Sequence, residues 1–278
     1  MLLKISPSLD GPLEPNTSSM SGAMERDGVS CGYSLLRGRR PGMEDYLYTE
    51  FATHCSSGEK VGLFGVFDGH GGPNAADFVK TNLMKTILTN QKFPADLEGA
   101  VIDSYLSTDA AYLEQESGTK REDGCTAVTA VLYQHRLVVA NVGDSRAVLC
   151  RGGKAIALSM DHKPNHREER ERIEAAGGMV VWAGTWRVGG VLAVSRAFGD
   201  KPLKRYVTST PHVRIESLQK DDEFLVLASD GLWDVVSNED AIQLVRSMID
   251  PEEAAKHLSQ EAMKRGSCDN ISCIVLRF

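Results

Sequence analysis

The stretch TAVTAVLYQHRLVVANVG, residues 126–143, decides how the chain is built. Two apolar runs are separated only by Gln134 and His135, a break that suits a tight hairpin between antiparallel strands. Working outward, AVLCRGGKAIAL (147–158) repeats the pattern around Gly152-Gly153. Further strand candidates are GVSCGYSLL (28–36), GLFGVF (62–67), GVLAVS (190–195), FLVLAS (224–229) and ISCIVLRF (271–278).

Helical periodicity fills the gaps. Residues 73 to about 89 place Ala75, Ala76, Val79, Leu83 and Ile87 on one stripe. A second helix is expected over 97–116. A third opens at Asn165, with Glu168 as a capping-box partner, and closes at Gly177-Gly178. Two more cover 239–249 and 251–265. Strands come in hairpin-linked groups and helices are inserted in pairs, which disfavours a doubly wound parallel sheet. The expected class is α+β: a central sandwich of two antiparallel sheets flanked by helices. One domain, residues 28–278, follows a Ser/Pro/Gly-rich flexible leader, residues 1–27, that lacks the apolar core of a signal peptide.

Bulk composition narrows the function. Of 278 residues, 42% are hydrophobic and 25% charged, with a formal net charge of −7. An acidic surface of this kind argues against nucleic acid or an anionic membrane as partner. No apolar run approaches the roughly 20 residues of a membrane helix. A monomer in the cytoplasm or nucleus is expected. The six cysteines form no CxxC pair, and buried free thiols are the natural state for those in apolar segments.

Carboxylates at strand ends are the sharpest signal. Asp68 ends one apolar run in FDGHGG, and Glu44 and Asp45 lie in GMEDY. Asp144 follows a strand in NVGDSRA, Asp230 and Asp234 follow another in VLASDGLWD, and Asp269 precedes the last strand in CDNIS. Any one Asp-Gly pair is more often a turn than a ligand. Together, carboxylates converging at one sandwich edge would repel each other unless cations neutralised them. All-oxygen donors suit Mg²⁺ or Mn²⁺, and two such ions about 4 Å apart can activate a water for in-line attack on a phosphoryl group. Gly69 would let the main chain, and its carbonyl, approach an ion.

RPGMED, VFDGHGG, GCTAV, VANVGDSRAVL, DHKP, RIEAAGG, RVGGVLAVSRAFGD, LASDGLWDV and DNIS occur in this order between residues 28 and 278. In that set the chain resembles the metal-dependent serine/threonine protein phosphatases of type 2C, with wording around residues 182–200 similar to plant members. The resemblance implies two packed antiparallel sheets flanked by helices. It also implies hydrolysis of phosphoserine and phosphothreonine in proteins by metal-activated water, with at least two Mg²⁺ or Mn²⁺ ions and a place in intracellular signalling. Phosphorylated proteins are then the partners. On this resemblance Asp68 would bridge the ions, Gly69 would give its carbonyl, and Asp230 and Asp269 would be further ligands. Glu44 and Asp45 match positions that hold metal-bound waters, and Asp144 and Asp234 match positions near a third metal site. Arg40 grips the phosphate, while Arg37 and Arg39 compete for that role on composition alone. His70 protonates the leaving alkoxide, with a turn-capping or ligand role as the alternatives.

Rival readings are weaker. CGYSLLR, Cys31 to Arg37, has the Cys-x5-Arg spacing of cysteine phosphatases but alternates like a strand. GDS at 143–145 has no Ser-His-Asp partners, and DGHGG lacks the Lys-Ser/Thr ending of a P-loop. A catalytically weak phosphoprotein-binding scaffold should have lost ligands, and none is missing. A hydrolase of small phosphate esters would use the same site. SRAFGD reads as structural, and the resemblance places Trp182 and Trp186 in the family's variable flap region, near the expected cleft.

Overall fold

The computed structural model describes residues 19–278 apart from 27 and 56. Its first sheet has the order β1-β2-β14-β13-β7-β8. These strands are β1 (Ser19–Arg26), β2 (Val29–Leu36), β7 (Arg146–Arg151), β8 (Lys154–Ala157), β13 (Asp222–Ala228) and β14 (Ile271–Arg277). The second runs β12-β6-β5-β4-β3, with the two-residue β11 (Phe198–Gly199) pairing to β5. It contains β3 (Asp45–Thr53), β4 (Lys60–His70), β5 (Gly124–Tyr133), β6 (Arg136–Val142) and β12 (His212–Ser217). All of these pairings are antiparallel.

Period-2 alternation makes each central strand serve two cores. Phe64 and Val66 of β4 meet Leu225, Leu227, Ile274 and Leu276 between the sheets. Leu63 and Phe67 point the other way, onto α1 (Asn74–Thr89) and α2 (Leu97–Gln115). Phe224 and Val226 likewise turn outward, against α4 (Asp230–Trp233), α5 (Asn238–Val245) and α6 (Pro251–Lys264). Strands covered on both faces read as continuous apolar runs, which is why the sequence exposed them. The result is the expected α+β sandwich with helices on its outer faces.

Several expectations need correction. Residues 19–26 of the expected leader are strand β1, paired in full with β2; residues 1–18 lie outside the described residues. GVLAVS is not a strand. Val188, Val194 and Leu192 instead pack with Ile173, Val180 and Val207 of a small local core, beside α3 (Arg167–Ala175) and the β9 (Val180–Trp182) and β10 (Trp186–Val188) hairpin. α3 starts two residues late, capped by His166 with no side-chain bond, so Glu168 closes no capping box. Its neighbour Glu169 is buried instead, accepting from Ser195, Arg172 and Arg196 and tying the helix to the flap base. β3 and β12 were missed because their half-exposed, polar-interrupted sequences lack an apolar run.

Among the described residues no helix is long and apolar enough to cross a membrane. All six cysteines are free, and Cys31, Cys125, Cys150 and Cys273 are buried.

Candidate active site

β4 does not stop before the acidic turn; it carries it. Asp68, Gly69 and His70 are its last residues and pair with Thr126, Cys125 and Gly124 of β5. On the other side, Asp45 of β3 stands directly opposite Asp68. The ladder therefore fixes Asp68 from both flanks before any side-chain contact is made.

The other carboxylates arrive from the ends of neighbouring strands. Asp144 follows β6, and Asp230 opens α4 straight after β13. Oxygens of Asp68, Asp144 and Asp230 lie within 4.8 Å of one another. Asp269 precedes β14, and Asn270 beside it stitches the preceding loop into place. Asn270 Nδ2 donates to the carbonyls of Arg37 and Gly42, and its Oδ1 accepts from the Glu44 backbone N–H. These bonds carry Arg40 and Glu44 to the same cavity of about 450 Å³ that Asp68, Asp144, Asp230 and Asp269 line. Arg40 donates to Asp269 at 2.6 Å. Arg37 and Arg39 do not line the cavity, so position separates the three arginines.

Electrostatics mark the cluster as unfinished. Burial, then the charges of Asp45, Asp230 and Asp144, hold Asp68 well above the usual carboxylate range. Asp230 is raised by burial and by Asp144 and Asp234. Asp45 is pushed up to about 6 by burial, against the opposing hydrogen bonds of Ser272 and Ser229. It sits behind Asp68 rather than in the cavity lining. Asp234 lies one helical turn past Asp230, exposed on its outer side and outside that lining; partial desolvation of its carboxyl, with Asp144 and Asp269, raises it against the opposing Lys163. Lys163 contacts Asp144, a cation the sequence reading did not single out.

The donor set fits divalent cations. Oxygen-only ligands of high charge density suit hard ions, and they are mutually repulsive without one. Gly69 adds a close backbone approach, since a Cβ there would lie 2.5 Å from the Glu44 carbonyl oxygen. Across the cavity, His70 Nε2 meets Asp200, a residue that SRAFGD had suggested was structural. Burial alone would lower the His70 pKa, but the bond to Asp200 and its charge outweigh it and leave the imidazole raised. Asp123 holds the turn beyond His70, accepting from Tyr112 and from the Ala75 N–H at the start of α1. Nothing in the sequence pointed to Asp123 or Asp200: Asp123 reaches the Ala75 N–H from 48 residues on, and Asp200 reaches His70 from 130 residues on.

The flap overhangs the other rim. Arg187, Val191 and Leu192 are part of the lining, and Trp182 pairs edge-to-face with Trp186 across the β9–β10 hairpin. The rival readings find no support. Cys31 is fully buried on β2 with its thiol pushed up by desolvation, the reverse of a nucleophile's environment. Ser145 is buried and bonded to Thr126.

The chain and its fold resemble known proteins. The family model described as "Protein phosphatase 2C" matches residues 29–271. "Probable protein phosphatase 2C 59" of Arabidopsis thaliana is 54% identical over 97% of this chain and 84% of its own length. "Probable protein phosphatase 2C 45" of Oryza sativa subsp. japonica is 55% identical over 96% and 94%. Among solved structures, a serine-threonine phosphatase 2C from Toxoplasma gondii superposes with a TM-score of 0.82 at 25% identity. It covers 95% of this chain and 100% of that one. A sex-determining protein of C. elegans gives a TM-score of 0.83 at 28% identity, over 91% and 66%. The family model spans more than half of the chain, and the two plant relatives are over 50% identical across nearly all of it: the chain belongs to the protein phosphatase 2C family and is a protein phosphatase.

Proposed function

We propose that the protein hydrolyses phosphoserine and phosphothreonine in proteins, dependent on at least two Mg²⁺ or Mn²⁺ ions. One observation carries the reading: three carboxylates, Asp144 buried and Asp68 and Asp230 half-buried, have oxygens within 4.8 Å of one another and line one cavity with Arg40 and His70. Asp68, Asp144, Asp230 and Asp269, with Gly69, are the residues that would hold the ions. When bound, such ions neutralise phosphoryl charge and supply a water of lowered pKa.

The chain's own groups do the rest. Arg40 presents a planar guanidinium that can grip two phosphate oxygens at once. Its present partner, Asp269, keeps it aimed into the cavity. A serine or threonine alkoxide is a poor leaving group. Donation of a proton from His70 as the P–O bond breaks supports its departure, an effect typically worth ~10²–10⁴-fold. Glu44 lines the cavity wall as an acceptor for ordered water.

The deciding experiment measures release of phosphate from a phosphothreonine peptide with Mn²⁺ and with EDTA, for wild type, Asp68→Asn and Asp230→Asn. Activity confined to the wild type with Mn²⁺ is expected. Turnover that survives chelation, or both substitutions, would overturn the reading.

A further inference from the structure

His70 ends against a carboxylate that takes no part in the acidic cluster. Its Nε2 lies 3.0 and 2.9 Å from the two carboxylate oxygens of Asp200. The Asp200 side chain is only 6% exposed. A carboxylate this deep is an expensive way to hold a loop, unless its partner needs it.

Three independent features build the pair. Gly124 stands opposite His70 across β4 and β5. A Cβ at Gly124 would fall 2.4 Å from His70 Nε2 and 2.2 Å from Asp200 Oδ2, so only glycine leaves the two groups room to meet. Asp200 itself has φ 51, a left-handed backbone that side-chain-bearing residues avoid without a reason. That backbone is pinned on both sides: Asp200 N–H donates to the Asp123 carbonyl, and Gly199 N–H donates to Asp109.

We propose that Asp200 is a positioning residue for proton transfer: it holds the His70 ring by Nε2 and leaves Nδ1 as the nitrogen that serves the cavity. Nδ1 has no hydrogen-bond partner among the described residues. As the P–O bond breaks, its electron pair passes to the serine or threonine oxygen. The Nδ1 proton passes to that same oxygen, and a neutral imidazole remains with its Nε2–H on Asp200. The inference rests on His70 being the general acid, and its test separates the two ideas.

The test compares a phosphothreonine peptide with p-nitrophenyl phosphate, whose leaving group departs without a proton, both at saturating Mn²⁺. Asn tolerates left-handed φ, so Asp200→Asn tests the charge with the fold kept, and Asp200→Ala tests the contact. His70→Ala should lower kcat on the peptide far more than on the aryl phosphate. Asp200→Ala should show the same split, about tenfold or more on the peptide and under about threefold on the aryl ester. Asp200→Asn should fall between it and wild type. The His70→Ala/Asp200→Ala double variant should be no slower on the peptide than His70→Ala alone. A split for His70→Ala with equal losses on both substrates for Asp200→Ala, or multiplying losses in the double variant, would overturn the positioning role alone. Equal losses for His70→Ala would remove the general acid and the inference with it.

Discussion

Asp45, buried, and Asp68, half-buried at the cavity, face each other in direct register across β3 and β4. Like charges opposite one another destabilise a sheet pair, and burial strips away the water that would screen them. The fold keeps this conflict at the base of its cavity, where a bound cation would resolve it.

Metal binding should therefore stabilise the protein measurably. At 100 times the dissociation constant a ligand adds about 2.7 kcal/mol, which for a domain of this size is a rise of roughly 5–10 °C in Tm. Thermal unfolding followed with Mn²⁺ and with EDTA reads this directly. Asp68→Asn should raise the Tm of the metal-free protein and abolish most of the Mn²⁺ shift. An undiminished shift in that variant would place the ions elsewhere.

Arg40 should act on binding rather than on fold. Its side chain is 56% exposed, and its bond to Asp269 is at the surface end of the cavity. Arg40→Ala should raise KM for a phosphopeptide about tenfold or more while leaving Tm within a degree or two. Arg40→Lys should recover little, because an ammonium cannot make the paired bonds of a guanidinium. Steady-state kinetics on the three proteins, with Tm alongside, tests both statements. Full recovery by lysine would show that only charge matters there.

Cys31→Ser should keep activity within about twofold per folded molecule. Cys31 lies in the core between the sheets, and burial drives its thiol away from the reactive thiolate. Serine there leaves a buried hydroxyl in an apolar layer, so a loss of about 1–3 kcal/mol in stability accompanies the retained chemistry. Denaturant unfolding and phosphopeptide turnover, measured together, separate the two effects. Loss of turnover in folded Cys31→Ser would bring back the cysteine mechanism.

What the sequence revealed follows from how each residue is used. β5, β6, β13 and β14 are buried on both faces and so announce themselves as apolar runs. β3 is a half-exposed edge whose Tyr, Thr and Glu residues blur the period. Asp68, Asp144, Asp230 and Asp269 were legible because a carboxylate at the end of an apolar run is chemically incongruous. Asp200 was not, since it gains its role only when a left-handed turn folds it onto a histidine 130 residues earlier. GVLAVS misled for the converse reason: its apolar side chains anchor a small local core instead of a sheet.

His162 gives the stability an acid limit. It is fully buried, and its imidazole clamps the Gly143 turn that presents Asp144: Nδ1 accepts from Gly143 N–H at 3.2 Å, while its own backbone N–H donates to the Gly143 carbonyl. Nε2 finds no partner among the described residues. Burial, with Arg196 and His212 adding positive charge and Glu169 opposing them, pushes its pKa down to about 3. The unfolded chain, with an ordinary histidine near 6.5, binds that proton first. This contribution is therefore complete above pH ~6.5 and is lost as pH falls toward about 3, at roughly 1.4 kcal/mol per unit. Glu169, lowered to about 2 against its own burial by Arg196, Ser195 and Arg172, adds a similar loss only below its unfolded value near 4.5. Between pH 6.5 and 5 the difference in unfolding free energy between wild type and His162→Asn isolates the histidine, because Asn can accept from Gly143 without titrating. That difference should shrink by about 1.6 kcal/mol across the window in urea titrations, the acidic cluster being common to both proteins. Parallel pH profiles for the two proteins would mean that His162 enters the folded state already charged.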